Sequence, residues 1–61
     1  MTKLETLRKR KKLTLRALAE KAGVSYQLIG MIENGQRNLT IKTAKALAQA
    51  LGCAWYNLID D

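Results

Sequence analysis

The sequence predicts an all-α fold, a compact bundle of five short helices that forms one domain over residues 1–61. Apolar residues recur at spacings of three and four along most of the chain, which is the period of a helix with one buried face. The chain has no proline, and few of its β-branched residues cluster as they do in strands. Glycines follow three of the apolar segments, where a left-handed residue commonly ends a helix: Gly23, Gly35 and Gly52.

The first three helices are predicted from their apolar faces and from the residues at their ends. The first covers residues 2–12 and turns inward Leu4 and Leu7. The second covers residues 15–22, after the potential cap Thr14, and is expected to bury Leu18, Ala19 and Ala22. The third covers residues 26–34, after the potential cap Ser25, and is expected to bury Leu28, Ile29 and Ile32.

The last two helices are predicted in the same way. The fourth covers residues 41–51, between the potential cap Thr40 and Gly52, and its expected buried residues are Ile41, Ala44, Leu47, Ala48 and Leu51. A short fifth helix near residues 54–59 is expected to close the base of the core with Trp55, Leu58 and Ile59.

The composition argues against an enzyme and against a metal site. The chain has no histidine and a single cysteine, Cys53, so neither an internal disulfide nor a recognisable zinc site can form. It also lacks a glycine-rich phosphate loop and a pair of carboxylates set in an apolar cleft. We therefore predict no catalytic activity, no metal and no cofactor, and we expect Cys53 to serve as a small core residue.

The charge of the chain points to a polyanionic partner. Eleven Lys and Arg residues against five Asp and Glu residues give a net charge of +6, which attracts nucleic acids or acidic membrane surfaces. No apolar run approaches the ~20 residues of a membrane span, and the basic start lacks the apolar segment of a signal peptide. Since a lone thiol fits a reducing compartment, we expect a cytoplasmic protein with no membrane partner.

The second and third helices are joined by only three residues, Gly23-Val24-Ser25, which leaves room for nothing except a sharp turn. Gly23 supplies a positive φ that other residues resist, and Ser25 can cap the following helix. Two short helices with a glycine turn between them predict a helix-turn-helix, which places its second helix in the major groove of DNA.

The outward face of helix 26–34 carries no charge, which is unusual for a solvated helix in a basic protein. Gln27 has the amide that bonds adenine at two positions, and Tyr26 and Met31 can contact thymine methyl groups. A glycine inside the helix costs about 1 kcal/mol relative to alanine, and close approach to a ligand would justify it. The predicted base-reading residues are Ser25, Tyr26, Gln27, Gly30 and Met31. The alternative is that this face binds a protein partner.

Several motifs resemble the phage repressor/Cro family, also called the xenobiotic-response-element type. They are LTLRALAEKAGVS at 13–25, the isoleucine at 29, IENG at 32–35 and LAQALG at 47–52, followed by an aromatic residue and Leu58. The resemblance implies a five-helix lambda-repressor-like bundle that contains a helix-turn-helix. It also implies a sequence-specific transcriptional regulator, with repression as the expected mode.

The resemblance further implies roles for individual residues. An ion pair between Arg8 and Glu33 is expected to tie the first helix to the end of the third. Phosphate contacts are expected at the start of the second helix, in the loop after the third and early in the fourth: Thr14, Arg16, Asn34, Gln36, Arg37, Asn38 and Lys42. Two positions depart from the family, since Leu15 replaces a common glutamine and Met31 an often polar residue. Sequence preference should therefore depend more on contacts with methyl groups and on DNA deformability.

A homodimer on double-stranded DNA is expected, because one recognition helix contacts only a few base pairs and family members place two such helices about 34 Å apart. The binding site would be a pseudo-palindromic operator. The expected dimer contacts are the fifth helix and the loop 36–39, with Tyr56 and Asn57 at the seam. A protein-interaction module or antitoxin with the same fold is the alternative function. The chain is either a full-length protein or the N-terminal domain of a longer one.

Overall fold

In the computed structural model, which describes residues 2–59, the chain folds into four α-helices and one short 3-10 helix. The α-helices are α1 (Lys3–Arg10), α2 (Leu15–Ala22), α3 (Tyr26–Glu33) and α4 (Ile41–Leu51), and the 3-10 helix covers Trp55–Leu58. The all-α class is therefore confirmed, and the bounds of α2 and α4 are those predicted. The prediction of a fifth α-helix is wrong.

The segment near 54–59 forms a single tight turn instead of an α-helix. The N–H of Asn57 donates to the carbonyl of Ala54 at 3.0 Å, which is the three-residue spacing of a 3-10 helix. Ala54 has no side-chain group to cap the turn, and only four residues take part in it. Leu58 is nevertheless buried, while Trp55 and Ile59 are half-buried. The segment closes the core, as predicted, with a different backbone.

Side-chain caps set the start of every α-helix. The backbone N–H of Ala17 donates to Thr14 Oγ1 at 3.0 Å, that of Leu28 to Ser25 Oγ at 3.1 Å, and that of Thr43 to Thr40 Oγ1 at 3.2 Å. These three caps are as predicted. α1 has a cap that was not predicted, in which the N–H of Glu5 donates to Thr2 Oγ1 at 3.1 Å.

Helix α1 ends two residues earlier than predicted, at Arg10. Lys12 adopts a left-handed φ of 58°, a conformation that glycine adopts with much less strain. The N–H of Leu13 then donates to the carbonyl of Arg8 at 3.1 Å, which closes the helix end as glycine-terminated helices do. Because a lysine and not a glycine occupies this position, the earlier end of α1 is not recognisable from the residue types.

The core lies where the helices meet, and it is built from apolar residues contributed by all five segments: Leu4, Leu18, Ala19, Ile29, Ile32, Leu47, Ala48, Leu51 and Leu58. Ala44 is also buried. Ile41, predicted to be buried, is 57% exposed because it is the first residue of α4 and the buried stripe begins one turn later. Leu7, Ala22, Leu28 and Cys53 are half-buried and pack against the core.

Residues 2–59 contain neither a membrane-spanning helix nor a cluster of metal-ligating side chains. None of the helices there has the length and apolar character needed to cross a membrane. That part of the chain also has no group of three or more His, Cys, Asp or Glu side chains arranged to hold a metal ion.

Candidate nucleic-acid interface

The turn between α2 and α3 fixes the relation of the two helices. Gly23 adopts a φ of 73°, and its N–H donates to the carbonyl of Ala19 at 2.8 Å. The N–H of Val24 donates to the same carbonyl at 3.2 Å, and the Val24 side chain packs half-buried against the core. Ser25 then begins α3 through its cap. Three residues thus end one helix, fill the angle and start the next.

One side of α3 is anchored in the core and the other is accessible. Ile29 and Ile32 are buried, with exposures of 0% and 6%, so the helix cannot rotate without losing them. On the other side, Tyr26 and Gln27 are exposed, and Gly30 and Met31 are half-buried. The side chains of the accessible face therefore carry a phenol, an amide and a thioether, and no charge.

Gly30 lies on this face, and the residues around it do not require a glycine at this position. A Cβ atom at this position would meet only Leu15 Cδ1, at an ordinary contact distance of 3.8 Å. The packing of the chain therefore leaves room for alanine there. Leu15 is half-buried and packs against the core.

An arginine and a tyrosine meet across the turn. The Arg16 guanidinium carbon lies 4.9 Å from the centre of the Tyr26 ring, which is within the range of a cation–π contact. Arg16 is the second residue of α2 and Tyr26 the first residue of α3, so the contact joins the starts of the two helices. Both residues were predicted to contact DNA, but their contact with each other was not predicted.

The residues predicted to contact phosphates are all exposed: Thr14, Arg16, Asn34, Gln36, Arg37, Asn38 and Lys42. The cations among them, Arg16, Arg37 and Lys42, form no ion pair with any carboxylate in residues 2–59. Thr14 caps α2 through its hydroxyl, and the first N–H groups of that helix have no acceptor within it. Phosphate oxygens accept hydrogen bonds from free cations and from the N–H groups at the start of a helix.

Arg8 and Glu33 come together behind this surface. Arg8 Nε donates to Glu33 Oε2 at 2.7 Å, and one terminal nitrogen donates to Glu33 Oε1 at 3.1 Å. The other terminal nitrogen donates to the carbonyl of Leu13 at 2.8 Å. The hydrogen bond with Glu33 and the attraction between the charges raise the pKa of Arg8, although burial opposes this. One guanidinium therefore joins α1, the loop after it and the last residue of α3.

The Leu13 contact and the Arg16–Tyr26 contact were both missed from the sequence. Their partners are five and ten residues apart, and neither spacing marks a contact within one helix. In a further contact, the Thr40 hydroxyl donates to the Thr43 hydroxyl at 3.0 Å. The three-residue spacing of a helix cap is the only signal of this contact in the sequence.

The chain is similar to known proteins over nearly its whole length. The family model described as "Helix-turn-helix" matches residues 4–56. A curated relative, the HTH-type transcriptional regulator y4dJ of Sinorhizobium fredii (strain NBRC 101917 / NGR234), is 40% identical over 53 residues, which are 87% of this chain and 69% of the relative.

Two solved structures share the fold at similar identity. The first is an HTH_3 family transcriptional regulator from Vibrio cholerae, with a TM-score of 0.87 and 36% identity over 92% of this chain. The second is the restriction-modification controller protein C.AhdI from Aeromonas hydrophila, with a TM-score of 0.88 and 33% identity over 93% of this chain. The present chain spans 32% of the Vibrio protein and 86% of the Aeromonas protein.

Proposed function

Because this chain belongs to the helix-turn-helix family of transcriptional regulators, we propose that it binds a specific double-stranded DNA sequence as a homodimer and represses transcription there. In this proposal α3 enters the major groove. Ser25, Tyr26, Gln27, Gly30 and Met31 face the bases.

The observation that carries the proposal is the accessible face of α3. It is uncharged, and it contains a glycine that the packing of the chain does not require. Hydrogen-bonding and apolar groups without charge suit base edges, whereas cations suit phosphates. The free cations Arg16, Arg37 and Lys42 lie outside α3, at the start of α2, in the loop after α3 and early in α4. This division of charge supports binding across a groove with phosphates on either side.

The phosphate contacts proposed are Thr14, Arg16, Asn34, Gln36, Arg37, Asn38 and Lys42. Fluorescence anisotropy with labelled random duplex at two salt concentrations tests them together. A protein that makes ~6–10 phosphate contacts loses about 10³–10⁵ in affinity between about 50 and 200 mM salt. We expect a dependence in that range. Absence of duplex binding at both concentrations would contradict the proposal and would favour a protein-interaction or antitoxin role.

Sequence preference is tested separately, after selection of a binding site from random duplexes. Gln27→Ala should cost about 1–3 kcal/mol at the selected site and relax the preference at one base pair. Arg37→Ala is the matched comparison, because it should weaken all sequences alike and reduce the salt slope by about one. If Gln27→Ala weakens selected and random duplexes equally, Gln27 is not a base-reading residue.

A further inference from the structure

We propose that Tyr26 is a positioning residue for Arg16, and that its ring holds the guanidinium ready for a DNA phosphate before DNA arrives. This inference rests on the proposed DNA-binding function and adds a role within the same site. Tyr26 would then act on all DNA sequences through Arg16, in addition to any contact between its ring edge and a base.

The direction taken by the Arg16 side chain is the first observation. Glu20 lies four residues further along α2, at a spacing that lets the two side chains meet on one helix face, although the opposite order of charges is the more favourable one. The guanidinium nevertheless lies over Tyr26, 4.9 Å from the ring centre, and Arg16 forms no ion pair with any carboxylate in residues 2–59. The guanidinium of Arg16 is therefore directed to the aromatic face of Tyr26 and not to Glu20.

The donors of Arg16 are the second observation. No oxygen acceptor within residues 2–59 bonds the guanidinium, in contrast to Arg8, whose three side-chain nitrogens all donate to oxygens of the same chain. Arg16 thus has its N–H donors available for an external acceptor of negative charge. A phosphate diester fits, because its oxygens match the planar donor arrangement of arginine.

The position of the contact is the third observation. Tyr26 is fixed at the start of α3, whose buried residues Ile29 and Ile32 lock the helix in the core. Arg16 follows the Thr14 cap by two residues, beside the free N–H groups at the start of α2. A guanidinium held here adds its charge to those N–H groups, and a long side chain that is already ordered loses less freedom on binding.

The experiment compares two substitutions of Tyr26 in parent and Arg16→Ala backgrounds. Tyr26→Phe keeps the aromatic face, whereas Tyr26→Leu keeps an apolar contact and removes that face. On random duplex, Tyr26→Phe should lose less affinity than Tyr26→Leu, because it keeps the aromatic face under Arg16. Tyr26→Leu should weaken binding to random duplex, where base reading contributes little, by about two- to fivefold per recognition helix, which is the range of an exposed cation–π contact. In the Arg16→Ala background, this loss on random duplex should disappear.

Lys21→Ala is the matched control, since it removes the same charge from the exposed last turn of the same helix. Its effect should add to that of Tyr26→Leu. On random duplex, full additivity between Tyr26→Leu and Arg16→Ala would overturn the inference. Equal losses for Tyr26→Phe and Tyr26→Leu on that duplex would also overturn it, because they would assign the effect to the phenol hydroxyl.

A measurement without DNA separates this inference from the proposed function. In the free protein, the ring of Tyr26 should shift the NMR signals of the Arg16 side-chain protons, and Tyr26→Leu should abolish the shift. Absence of the shift in the parent overturns the positioning role alone. A parent that shows the shift but binds no duplex at low salt overturns the proposed function, and the role for DNA with it.

Discussion

Gly30 occupies the centre of the accessible face of α3. A glycine there lowers the stability of the helix, but it leaves room for a ligand to come close. A glycine inside a helix lowers stability by about 1 kcal/mol relative to alanine, because the unfolded chain loses more freedom. The fold gives no reason for it, since an added Cβ would meet only Leu15 Cδ1 at 3.8 Å. The absence of a side chain at this position therefore favours the close approach of a ligand from outside the chain.

Gly30→Ala should consequently separate stability from binding. We expect the free energy of unfolding to rise by about 1 kcal/mol, and the melting temperature by about 4–8 °C, in a domain of this size. Affinity for the selected duplex should fall by about 1–3 kcal/mol, the usual cost of an extra methyl group in a close contact. Thermal unfolding and anisotropy measure the two effects.

Ala46→Gly provides the reverse substitution in α4, at a half-buried position outside the proposed interface. It should lower stability by a similar amount and leave the affinity of the folded protein unchanged. If Gly30→Ala raises stability without weakening binding, α3 does not approach DNA as closely as proposed.

At the scale of elements, the bounds of a helix were predictable where a capping residue or a glycine stands at its ends. Thr14 and Gly23 flank α2, and Thr40 and Gly52 flank α4, and both helices have their predicted bounds. The end of α1 was not predictable, because the residue that adopts the left-handed conformation there is Lys12 and not a glycine. The 3-10 turn was mistaken for an α-helix because apolar spacing over four to six residues suits both.

The candidate site was predictable where a feature lies within one helix, and not where it depends on two. The sidedness of α3 followed from the spacing of its apolar residues, and Ile29 and Ile32 are buried accordingly. The contact between Arg16 and Tyr26 was not predictable, because it depends on the angle that the turn imposes between two helices. Local periodicity describes one helix at a time and contains no information about that angle.

The ion pair between Arg8 and Glu33 also acts between elements, and Glu33→Gln should show it. The exposures of the two side chains are only 11% and 7%, so the substitution leaves a largely buried positive charge without its partner. We expect a loss of about 3 kcal/mol, the lower end for a broken buried pair, because some water contact remains. The melting temperature should fall by about 12–24 °C, as measured by circular dichroism.

Lys9→Ala is the control for this prediction, since it breaks the pair of Lys9 with Glu5, in which the lysine side chain is 57% exposed. It should cost less than about 1 kcal/mol. The raised pKa of Arg8 means that its contribution is fully present below the ordinary arginine pKa, and so at every pH of the assay. Equal losses for Glu33→Gln and Lys9→Ala would contradict a structural role for the buried pair.

At the scale of the whole molecule, size and charge favour action in pairs. The described part of the chain measures 25 × 22 × 20 Å, less than the ~34 Å of one DNA turn, so one copy reaches only part of a turn. Two of the three carboxylates within residues 2–59 are engaged by Lys9 and Arg8, which leaves the positive field little opposed. Such a field binds DNA without sequence preference, so specificity would require two recognition helices together.

The proposed seam between two copies includes Tyr56, whose residue surface is 64% exposed although tyrosine is large and partly apolar. Tyr56→Glu should reduce the cooperativity of binding to two half-sites by at least about 1 kcal/mol, or roughly fivefold, as expected for a tyrosine in an interface. Affinity for a duplex with a single half-site should change much less, and that duplex corrects for the added negative charge. Gel-shift titration of both duplexes gives the two affinities.

Insertion of five base pairs between the half-sites is the matched control on the DNA side. Half a helical turn moves the second site to the opposite face of the duplex, so the two copies can no longer touch. The insertion should remove the cooperativity of the parent protein and have little further effect on Tyr56→Glu. If the insertion weakens the variant as much as the parent, the contact between copies lies elsewhere on the molecule. The loop 36–39 would then be the next segment to test, because three of its four residues are exposed and it lies beside the proposed phosphate contacts.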